Sequence, residues 1–391
     1  MCGLTGFLGL NCFEHPDSVH GILMQMANAI FHRGPDGDGY WADPQTSIGL
    51  AHRRLAIVEL SPAGAQPMAS VSGRYVLAFN GEIYNHLRLR DALEHEGKVS
   101  ANWRGHSDTE TLLAGFDAWG IEGTLKEAIG MFAVAVWDRV DRVLTLARDR
   151  LGEKPLYYGW QGQGSGAVFL FGSELSALRR HPAFAAEVNR DALALHMRHN
   201  CIGGEHSIYS GIRKLLPGHL LSVSLARPEP QVRAWWSGAN VAMRGVAEPF
   251  AGSPEQAVDE LEALLCDAVA QQMMADVPLG AFLSGGIDSS TVVALMQAHI
   301  GPEMRAHLLI NFGAVDIEIG TGIGMDYGKA QSHWRARHIA SANIEKPSKR
   351  IERGNHHGIG IFGFQPSGDI AALFFRAFAG IYQRMHLKRR F

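Results

Sequence analysis

The chain has 391 residues, of which 46% are hydrophobic and 19% are charged, and its net charge is −3. This length allows two domains of ordinary size, each with its own hydrophobic core. The near-neutral charge gives no reason to expect nucleic acid or an acidic membrane surface as a partner.

The four cysteines are widely spaced and form no C-x-x-C pair. This argues against a disulfide framework and a zinc site, and it favours a reducing compartment. No charged start is followed by an apolar stretch, so we expect no secretory signal. Apolar runs such as residues 131–137 are too short to cross a bilayer. We therefore expect a soluble, cytoplasmic protein.

The chain begins MCGLTGFLGL, with Cys2 directly after the first methionine. If Met1 is removed, the same residue carries a thiol and a free α-amine. The unperturbed pKa of such an amine is roughly 7.7–8, close enough to neutrality for it to act as a general base. Cys2 is therefore a candidate nucleophile.

The first half of the chain predicts short strands and a few helices. Strand patterns rich in β-branched and aromatic residues occur at 75–80, 131–138, 143–148 and 168–172. Helical periodicity covers 19–30 and 107–119, and the second helix starts with the capping-box pattern Ser107-Asp-Thr-Glu110. Two packed sheets flanked by helices would account for these elements.

A proline-containing, loosely patterned stretch predicts a linker between about residues 224 and 253. Order resumes at Ser253, which has the features of an N-cap followed by a proline at the first helical position. An extended run at 277–283, a Gly-rich turn and a helix at 290–299 follow. This strand–loop–helix unit predicts the start of an α/β domain with a parallel sheet.

The turn at 284–290 reads Ser-Gly-Gly-Ile-Asp-Ser-Ser. Glycines, hydroxyls and a helix N-terminus together form a cradle for pyrophosphate. No Gly-Lys-[ST] follows, so the motif is not a Walker loop and favours adenylation over kinase-type transfer. The alternative is an ordinary Gly-rich strand–helix turn. Asp288 either caps the helix or helps to hold Mg²⁺, and the sequence leaves both open.

Nine motifs in a fixed order resemble the glutamine-hydrolysing asparagine synthetase family. They are MCG (1–3), HRGPDG (32–37), AHRRLAI (51–57), GAQPM (64–68), FNGEIYN (79–85), HSDTE (106–110), ARDRLGEKPLYY (147–158), FGSELSAL (171–178) and LSGGIDSS (283–290). The resemblance implies an α+β glutaminase domain, an N-terminal nucleophile hydrolase with an αββα sandwich. An α/β ATP-pyrophosphatase domain with a doubly wound parallel sheet, incomplete in this chain, is implied after it.

The resemblance makes Cys2 the nucleophile on the glutamine amide. It assigns the side-chain amide of Asn80 and the backbone N–H of Gly81 to the oxyanion hole, the donors that stabilise the acyl-transfer intermediate. Asn-Gly is also an ordinary hairpin turn, which is the competing interpretation of these two residues.

The same resemblance assigns Arg54 to the α-carboxylate of glutamine, where a planar guanidinium suits two oxygens. The neighbouring Arg53 is the alternative, and the register of the following Leu-Ala-Ile favours Arg54. Glu82 and Asp108 are implied as partners of the substrate α-ammonium, although Asp108 also suits the first turn of a helix. The implied pocket wall consists of Leu55, Ile57 and Val58.

For the second domain the resemblance implies ATP and Mg²⁺ as cofactors and aspartate as the acceptor. ATP would adenylate aspartate, and ammonia that passes through the protein from the glutaminase site would displace AMP to give asparagine. The metal ligands are unknown, and a homodimer is a candidate assembly, although the sequence does not give the oligomeric state. The implied ATP-binding residues are Leu283, Ser284, Gly285, Gly286, Asp288, Ser289 and Ile310.

We divide the chain into a glutaminase domain at 2–210, its end and a linker at 211–252, the start of a synthetase domain at 253–312, and a divergent tail at 313–391. The tail lacks the second family motif, Ser-Gly-[Asp/Glu]-Gly-x-Asp-Glu. A truncated or frameshifted gene is the favoured explanation, and a divergent, shortened synthetase is the alternative.

Three rival functions remain open at this point. The chain could amidate another carboxylate such as a sugar acid, act as a glutaminase only, or be a non-catalytic truncated product. The basic tail carries no recognisable nucleic-acid-binding module. Ammonia release from glutamine, measured with and without ATP and aspartate, separates a glutaminase from a non-catalytic product. The acceptor pocket would decide between aspartate and another carboxylate.

Overall fold

The computed structural model describes residues 1–9, 16–99, 102–282, 286–300, 307–312 and 315–320. The chain divides into two compact units. The first contains residues 1–249 together with the short segment 274–277, and the second contains 250–273 and the described residues from 278 onward. Leu283, Ser284 and Gly285, and all of the tail after residue 320, lie outside the described residues.

The strands of the first unit are β1 (Gly3–Leu8), β2 (Gly37–Asp43), β3 (Ile48–Arg54), β4 (Met68–Ala69), β5 (Tyr75–Ile83), β6 (Gly130–Asp138), β7 (Val143–Arg148), β8 (Tyr157–Gln161), β9 (Val168–Gly172), β10 (Arg213–Lys214), β11 (His219–Val223) and β12 (Gln231–Ala234). Its helices are α1 (Pro16–Asn28), α2 (His86–His95), α3 (Asp108–Glu127), α4 (Leu175–Leu178), α5 (Arg190–His199) and α6 (Gly238–Ala247).

These strands form two antiparallel sheets, with the orders β10-β8-β9-β1-β3-β2 and β12-β11-β7-β6-β5-β4. The inner faces share an apolar core that contains Leu4, Ala78 and Trp137. Helices α1 and α4 pack on the outer face of the first sheet, and α2 and α3 pack on the outer face of the second. The predicted αββα sandwich is confirmed.

Side-chain alternation decides what each strand contributes to the space between the sheets. Along β5, Val76 and Ala78 belong to the inner core, whereas Leu77 and Phe79 lie under the helices. A period of two therefore carries Asn80 to the inner side.

The first sheet shows the same alternation. Leu4 and Leu8 of β1 lie in the inner core and Phe7 lies beneath α1. Cys2, two residues before Leu4, therefore continues the inner-facing row as the chain enters β1.

The hairpin-turn interpretation of Asn80-Gly81 is wrong, because β5 continues through both residues to Ile83. Gly81 lies opposite Phe132 in the β5–β6 ladder. A Cβ atom on Gly81 would lie 2.2 Å from the carbonyl oxygen of Met131. Glycine is needed here for close strand pairing and not for a turn.

Helix α3 begins as predicted, and its capping differs from the expected box. The Ser107 side chain accepts from the Glu110 N–H at 3.3 Å. The Glu110 carboxylate accepts instead from the N–H groups of Arg104 at 2.9 Å and Gly105 at 3.2 Å. The helix also runs beyond the predicted end, across a kink at Gly120, whose φ is 74°.

The stretch expected as a linker is partly ordered into regular elements. β12 pairs with β11 at the edge of the second sheet, and α6 follows with Ser237 as its N-cap. The prolines that suggested a linker, Pro228 and Pro230, lie between the two paired strands. The stretch before residue 250 therefore belongs to the first unit, and the division between the two units falls at Pro249, close to the predicted boundary at 252–253.

The second unit contains α7 (Pro254–Gln272), β13 (Gly280–Phe282), α8 (Ile287–Ile300), β14 (His307–Phe312) and β15 (Val315–Gly320). The predicted start of α7 is confirmed, with Ser253 and Gln256 in a capping box. β13 and β14 are parallel as predicted, whereas β15 pairs with β14 antiparallel. No helix within the described part of the chain is long and apolar enough to cross a membrane.

Candidate active site

The Cys2 thiol lies against the backbone that follows β3. Its sulfur accepts from the Leu55 N–H at 3.4 Å, and its S–H donates to the Leu55 carbonyl oxygen, with 3.5 Å between sulfur and oxygen. The pairing of β1 with β3, with Gly3 opposite Arg53, brings these distant residues together. Strand register therefore places the thiol beside the loop that begins at Leu55.

Burial sets the proton affinities at this end of β1. Burial raises the pKa of the Cys2 thiol, and the Leu55 backbone hydrogen bond and the N-terminal charge oppose that rise. Burial also lowers the pKa of the α-amine, which Met1 carries in this structure. A lowered pKa favours the neutral form of the amine at this end of the chain.

The Asn80 side chain is buried without a partner. Its residue is 1% exposed, and neither its amide nitrogen nor its amide oxygen has a hydrogen-bond partner among the described residues. A buried, unsatisfied polar group costs roughly 1–3 kcal/mol, so native structures keep few of them. The amide is accordingly placed to donate to a ligand.

The N–H of Gly81 lies on the open edge of β5. Phe79 and Ile83, two residues to either side, direct their N–H groups away from β6: the first donates to Gln66 Oε1 at 2.7 Å and the second to Asp108 Oδ2 at 2.9 Å. Backbone groups in an antiparallel strand alternate, so the Gly81 N–H points the same way. No side chain among the described residues accepts from it. Two neighbouring donors, one side chain and one backbone, therefore lie together.

His52 supports this part of β5 from the opposite sheet. Because a carbonyl oxygen can only accept, His52 Nε2 carries the hydrogen and donates to Phe79 O at 2.9 Å. Burial lowers the pKa of His52 to about 4, so the ring is neutral near neutral pH. The bond joins the two sheets at the residue that precedes Asn80.

Two carboxyl groups lie near the same end of β5. Burial raises the pKa of Asp108 to about 7, and the nearby Glu82 adds to the rise. Burial also raises the pKa of Glu82, while Lys154 and the N-terminal amine oppose it. Buried carboxyl groups gain from a cation that neutralises them, so this pair suits an ammonium group.

Arg54 and Arg53 point to opposite sides of β3. The Arg54 guanidinium donates to the carbonyl oxygens of Ser61, at 3.1 Å, and Glu59. Arg53 donates to Ala27 O of α1 at 3.3 Å on the outer face. Arg54 is therefore the arginine on the side of the thiol, and its guanidinium has N–H groups beyond the two that make these bonds.

The predicted pocket-wall residues follow β3 in a single loop. All three are partly exposed, and only the first has a described contact with the thiol. They are Leu55, Ile57 and Val58.

Sequence reasoning missed Arg33 as a site residue. Arg33 is 9% exposed, and its Nε donates to the carbonyl oxygen of Cys2 at 3.0 Å. Its Nη1 donates to Glu174 Oε1 at 2.9 Å, and its Nη2 has no partner among the described residues. Both residues lie in motifs that signalled the family, HRGPDG and FGSELSAL, but neither motif indicated that they would meet beside the thiol.

The nucleotide motif is described only in part. Gly286, Asp288 and Ser289 lie at the N-terminus of α8, where the Ser289 hydroxyl donates to Gly286 O at 3.2 Å, and Ile310 lies in β14. Unpaired N–H groups in the first turn of a helix suit a phosphate. The described residues contain no group of three or more His, Cys, Asp or Glu side chains that could hold a metal ion.

Comparison with known proteins identifies two family models along the chain. The model described as glutamine amidotransferase domain matches residues 1–236, and the model described as asparagine synthase matches residues 260–309.

Curated relatives agree with both matches. Asparagine synthetase [glutamine-hydrolyzing] 3 of Bacillus subtilis is 34% identical over 314 residues, which cover 79% of this chain and 47% of that protein. The second such enzyme of that organism is 32% identical, covering 88% of this chain and 43% of the relative. Amidase chry2 of Gibberella zeae is 29% identical over 304 residues, which cover 76% of this chain and 44% of the amidase. The chain thus spans less than half the length of these relatives.

Among solved structures, a glutamine phosphoribosylpyrophosphate amidotransferase of B. subtilis matches with 15% sequence identity. The match covers 75% of this chain and 64% of the amidotransferase chain. The TM-score is 0.43. A likeness at this level carries no argument about the site, which rests on the geometry given above.

Proposed function

The glutamine amidotransferase model matches more than half of this chain, so the chain belongs to that family. From this premise we propose that the first unit of the chain hydrolyses glutamine. We propose further that the released ammonia amidates aspartate in an ATP-dependent reaction. The buried, unpaired amide of Asn80 is the observation that carries the proposal. An oxyanion explains why the fold keeps a polar group there without a protein partner.

The nucleophile forms by processing. Removal of Met1 leaves the α-amine on Cys2, and this amine accepts the thiol proton. The sulfur then attacks the amide carbon of glutamine, a C–S bond forms, and the carbonyl electron pair moves to oxygen. Burial lowers the pKa of the N-terminal amine that Met1 carries in this structure, and we expect an amine on Cys2, at the same end of β1, to be shifted in the same direction.

The negative oxygen receives hydrogen bonds from the Asn80 amide and the Gly81 N–H. When the intermediate collapses, the C–N bond breaks and the ammonium of Cys2 returns a proton to the leaving nitrogen as ammonia. Water then cleaves the thioester and releases glutamate and the free thiol. Each oxyanion donor of this kind contributes about 10²–10³-fold in rate.

Substrate orientation follows from the charges around the thiol. Arg54 pairs with the α-carboxylate of glutamine, and Asp108 with Glu82 holds the α-ammonium. Because the pKa of Asp108 is raised to about 7, the bound ammonium also draws this carboxyl into its ionised form. Opposite charges at two ends of the pocket thus fix the direction in which the side-chain amide reaches Cys2.

For the second unit, the asparagine synthase match and the names of the relatives support ATP and aspartate as substrates. ATP supplies an adenylate on the aspartate carboxylate, which ammonia can displace. Residues at the start of α8, namely Gly286, Asp288 and Ser289, are the described part of the phosphate site that we propose.

Glutamine hydrolysis by the purified full chain is the first test. We expect glutamate and ammonia from the wild type and neither from Cys2→Ala. Cys201→Ala is the matched control, because that thiol is free and exposed, and it should behave as the wild type. Intact mass should show Met1 removed. Full activity of Cys2→Ala, or of material that retains Met1, would overturn the proposed nucleophile.

Asparagine formation is the second test. The full chain with ATP, aspartate and either glutamine or ammonium should yield asparagine, AMP and pyrophosphate. Glutamate without asparagine under every condition would overturn the synthetase part and leave the glutaminase part standing. Replacing aspartate by sugar acids in the same assay distinguishes a different acceptor.

A further inference from the structure

A loop between β3 and the start of β4 connects the thiol to a distant segment of the chain. We call residues 55–61 the glutamine loop. At its first residue, Leu55, the backbone contacts the Cys2 sulfur. Arg54, immediately before it, donates to the carbonyl oxygens of Glu59 and Ser61. The position of the loop thus affects both the thiol and the proposed carboxylate-binding arginine.

Glu59, near the C-terminal end of the glutamine loop, itself adopts an unusual backbone conformation. Its φ is 62°, and its residue is 5% exposed. Its carboxylate accepts from the Ser61 N–H at 3.1 Å and from the His106 N–H at 2.9 Å. Hydrogen bonds from Ser61 lower the pKa of Glu59 to about 2, so the group stays ionised. A Cβ on Gly105 would lie 2.3 Å from this carboxylate, so the approach is close.

Asp276 reaches this loop from more than two hundred positions along the chain and belongs to the first unit. Its N–H donates to Ile57 O at 2.9 Å. Its Oδ2 accepts from the Glu59 N–H at 2.6 Å and lies 2.6 Å from His106 Nε2. His106 Nδ1 lies 3.0 Å from Glu59 Oε2. We call this set of contacts the Asp276 clamp.

The clamp also connects the loop with the proposed ammonium site. His106 lies two residues before Asp108, at the approach to α3. Three parts of the chain that are far apart in sequence therefore converge: the glutamine loop, the start of α3 and the segment 274–277. The carboxylate-binding and ammonium-binding ends of the pocket are attached to the same set of hydrogen bonds.

We propose that Asp276 and His106 are positioning residues that hold the glutamine loop in the conformation that binds glutamine, an inference that rests on the glutaminase function proposed above. Neither residue touches the thiol or the oxyanion donors. Loss of the clamp therefore weakens glutamine binding and leaves the bond-breaking steps intact. Because misplaced binding groups cost affinity, KM for glutamine should rise about tenfold or more while kcat changes less than about twofold.

A residue that only stabilises the fold would give a different pattern. Its loss would lower the thermal midpoint and the fraction of active protein, which reduces apparent kcat without changing KM. The first readout is therefore whether a variant changes KM for glutamine, kcat, or both. The conservative variant Asp276→Asn keeps an oxygen that can accept from Glu59 and His106, so it should recover most of the affinity that Asp276→Ala loses.

The experiment compares Asp276→Ala, Asp276→Asn and His106→Gln in the full chain with a matched surface variant. Glu205→Ala is that control, since Glu205 pairs with Arg213 at 3.1 Å on an exposed surface. The second readout is the rate of Cys2 alkylation by a diazoketone analogue of glutamine and by iodoacetamide. Asp276→Ala should react about tenfold more slowly with the analogue at low concentration and at an unchanged rate with iodoacetamide.

Three outcomes would overturn the inference. If the wild type hydrolyses glutamine and Asp276→Ala matches it in KM and in analogue labelling, the clamp is not a positioning device. If both alkylation rates and the thermal midpoint of every variant fall together, including Asp276→Asn and His106→Gln, the clamp is only structural. If the wild type neither hydrolyses glutamine nor reacts with the analogue, the proposed function fails and the clamp falls with it.

Discussion

Replacing Asp108 by asparagine removes a carboxyl group that the fold keeps at an energetic cost. The residue is 6% exposed, and burial raises its pKa from 3.8 to about 7. A difference of about 3 pH units corresponds to roughly 4 kcal/mol in the folded protein, an upper limit for the cost of ionising this group. The amide oxygen of asparagine can still accept from the Ile83 N–H, so the contact itself is retained.

The sign of the pH dependence follows from the raised pKa of Asp108. The folded protein binds this proton more tightly than the unfolded chain, so the group's contribution to stability is present at low pH and is lost as pH rises to about 7. We therefore compare the free energy of unfolding of the wild type with that of Asp108→Asn. The difference, wild type minus variant, should increase by about 2.5 kcal/mol when the pH is lowered from about 8 to about 5.

Urea denaturation at both pH values, followed by tryptophan fluorescence and by circular dichroism, measures this difference. The variant should be more stable than the wild type at the higher pH. Parallel stability curves for the two proteins, with no pH-dependent difference, would refute the raised pKa. Glu94→Gln, at an acidic residue on α2, controls for the loss of one negative charge.

The same variant tests the ammonium site. Losing a hydrogen-bonded counter-charge costs roughly 1.5–3 kcal/mol, so kcat/KM for glutamine should fall about 10–10²-fold in Asp108→Asn. In the wild type kcat/KM should rise with pH through a limb set by the pKa of Asp108, about 7. A variant with wild-type kcat/KM would remove Asp108 from the substrate site.

Three further substitutions test the oxyanion donors and the support of the thiol. Asn80→Ala should lower kcat for glutamine about 10²–10³-fold, because it removes an oxyanion donor. Stability should not fall, because the Asn80 amide has no protein partner among the described residues. A wild-type kcat, or a large drop in melting temperature, would contradict this. Gly81→Ala should destabilise the β5–β6 pairing by more than about 1 kcal/mol, because the new Cβ would lie 2.2 Å from Met131 O, and thermal denaturation checks it. Arg33→Lys loses a planar donor of the Cys2 carbonyl bond, so the rate of iodoacetamide labelling at the thiol should change, and an unaltered rate would show that Arg33 does not hold Cys2 in place.

The layered fold could be predicted because its strands are short runs rich in β-branched and aromatic residues. Strands such as β6 and β7 carry apolar residues on both faces, and their patterns are visible in the sequence. The Asn80-Gly81 pair misled that reasoning, because Asn-Gly favours a hairpin turn in isolation. Only the approach of Met131 from the neighbouring strand shows that the glycine serves strand pairing.

The candidate site was predictable only where a motif named its residues. Cys2 and Asn80 could be proposed from the motifs at 1–3 and 79–85, and the alternation of β1 and β5 explains why both face the space between the two sheets. Arg33 and Asp276 were not proposed, because their roles depend on contacts with residues far away in the sequence. No local pattern records that a carboxylate at 276 accepts from the backbone of residue 59.

The division of the first unit into two stretches of chain has a practical consequence for anyone who dissects the polypeptide. The amidotransferase family match ends at residue 236, and the continuous part of the unit ends at Pro249. A fragment cut at either point omits Asp276, and the backbone of Ile57 and Glu59 loses its partner. Glutamine kinetics measured on such a fragment would therefore describe a protein without the Asp276 clamp. The fragment should bind glutamine more weakly than the full chain does.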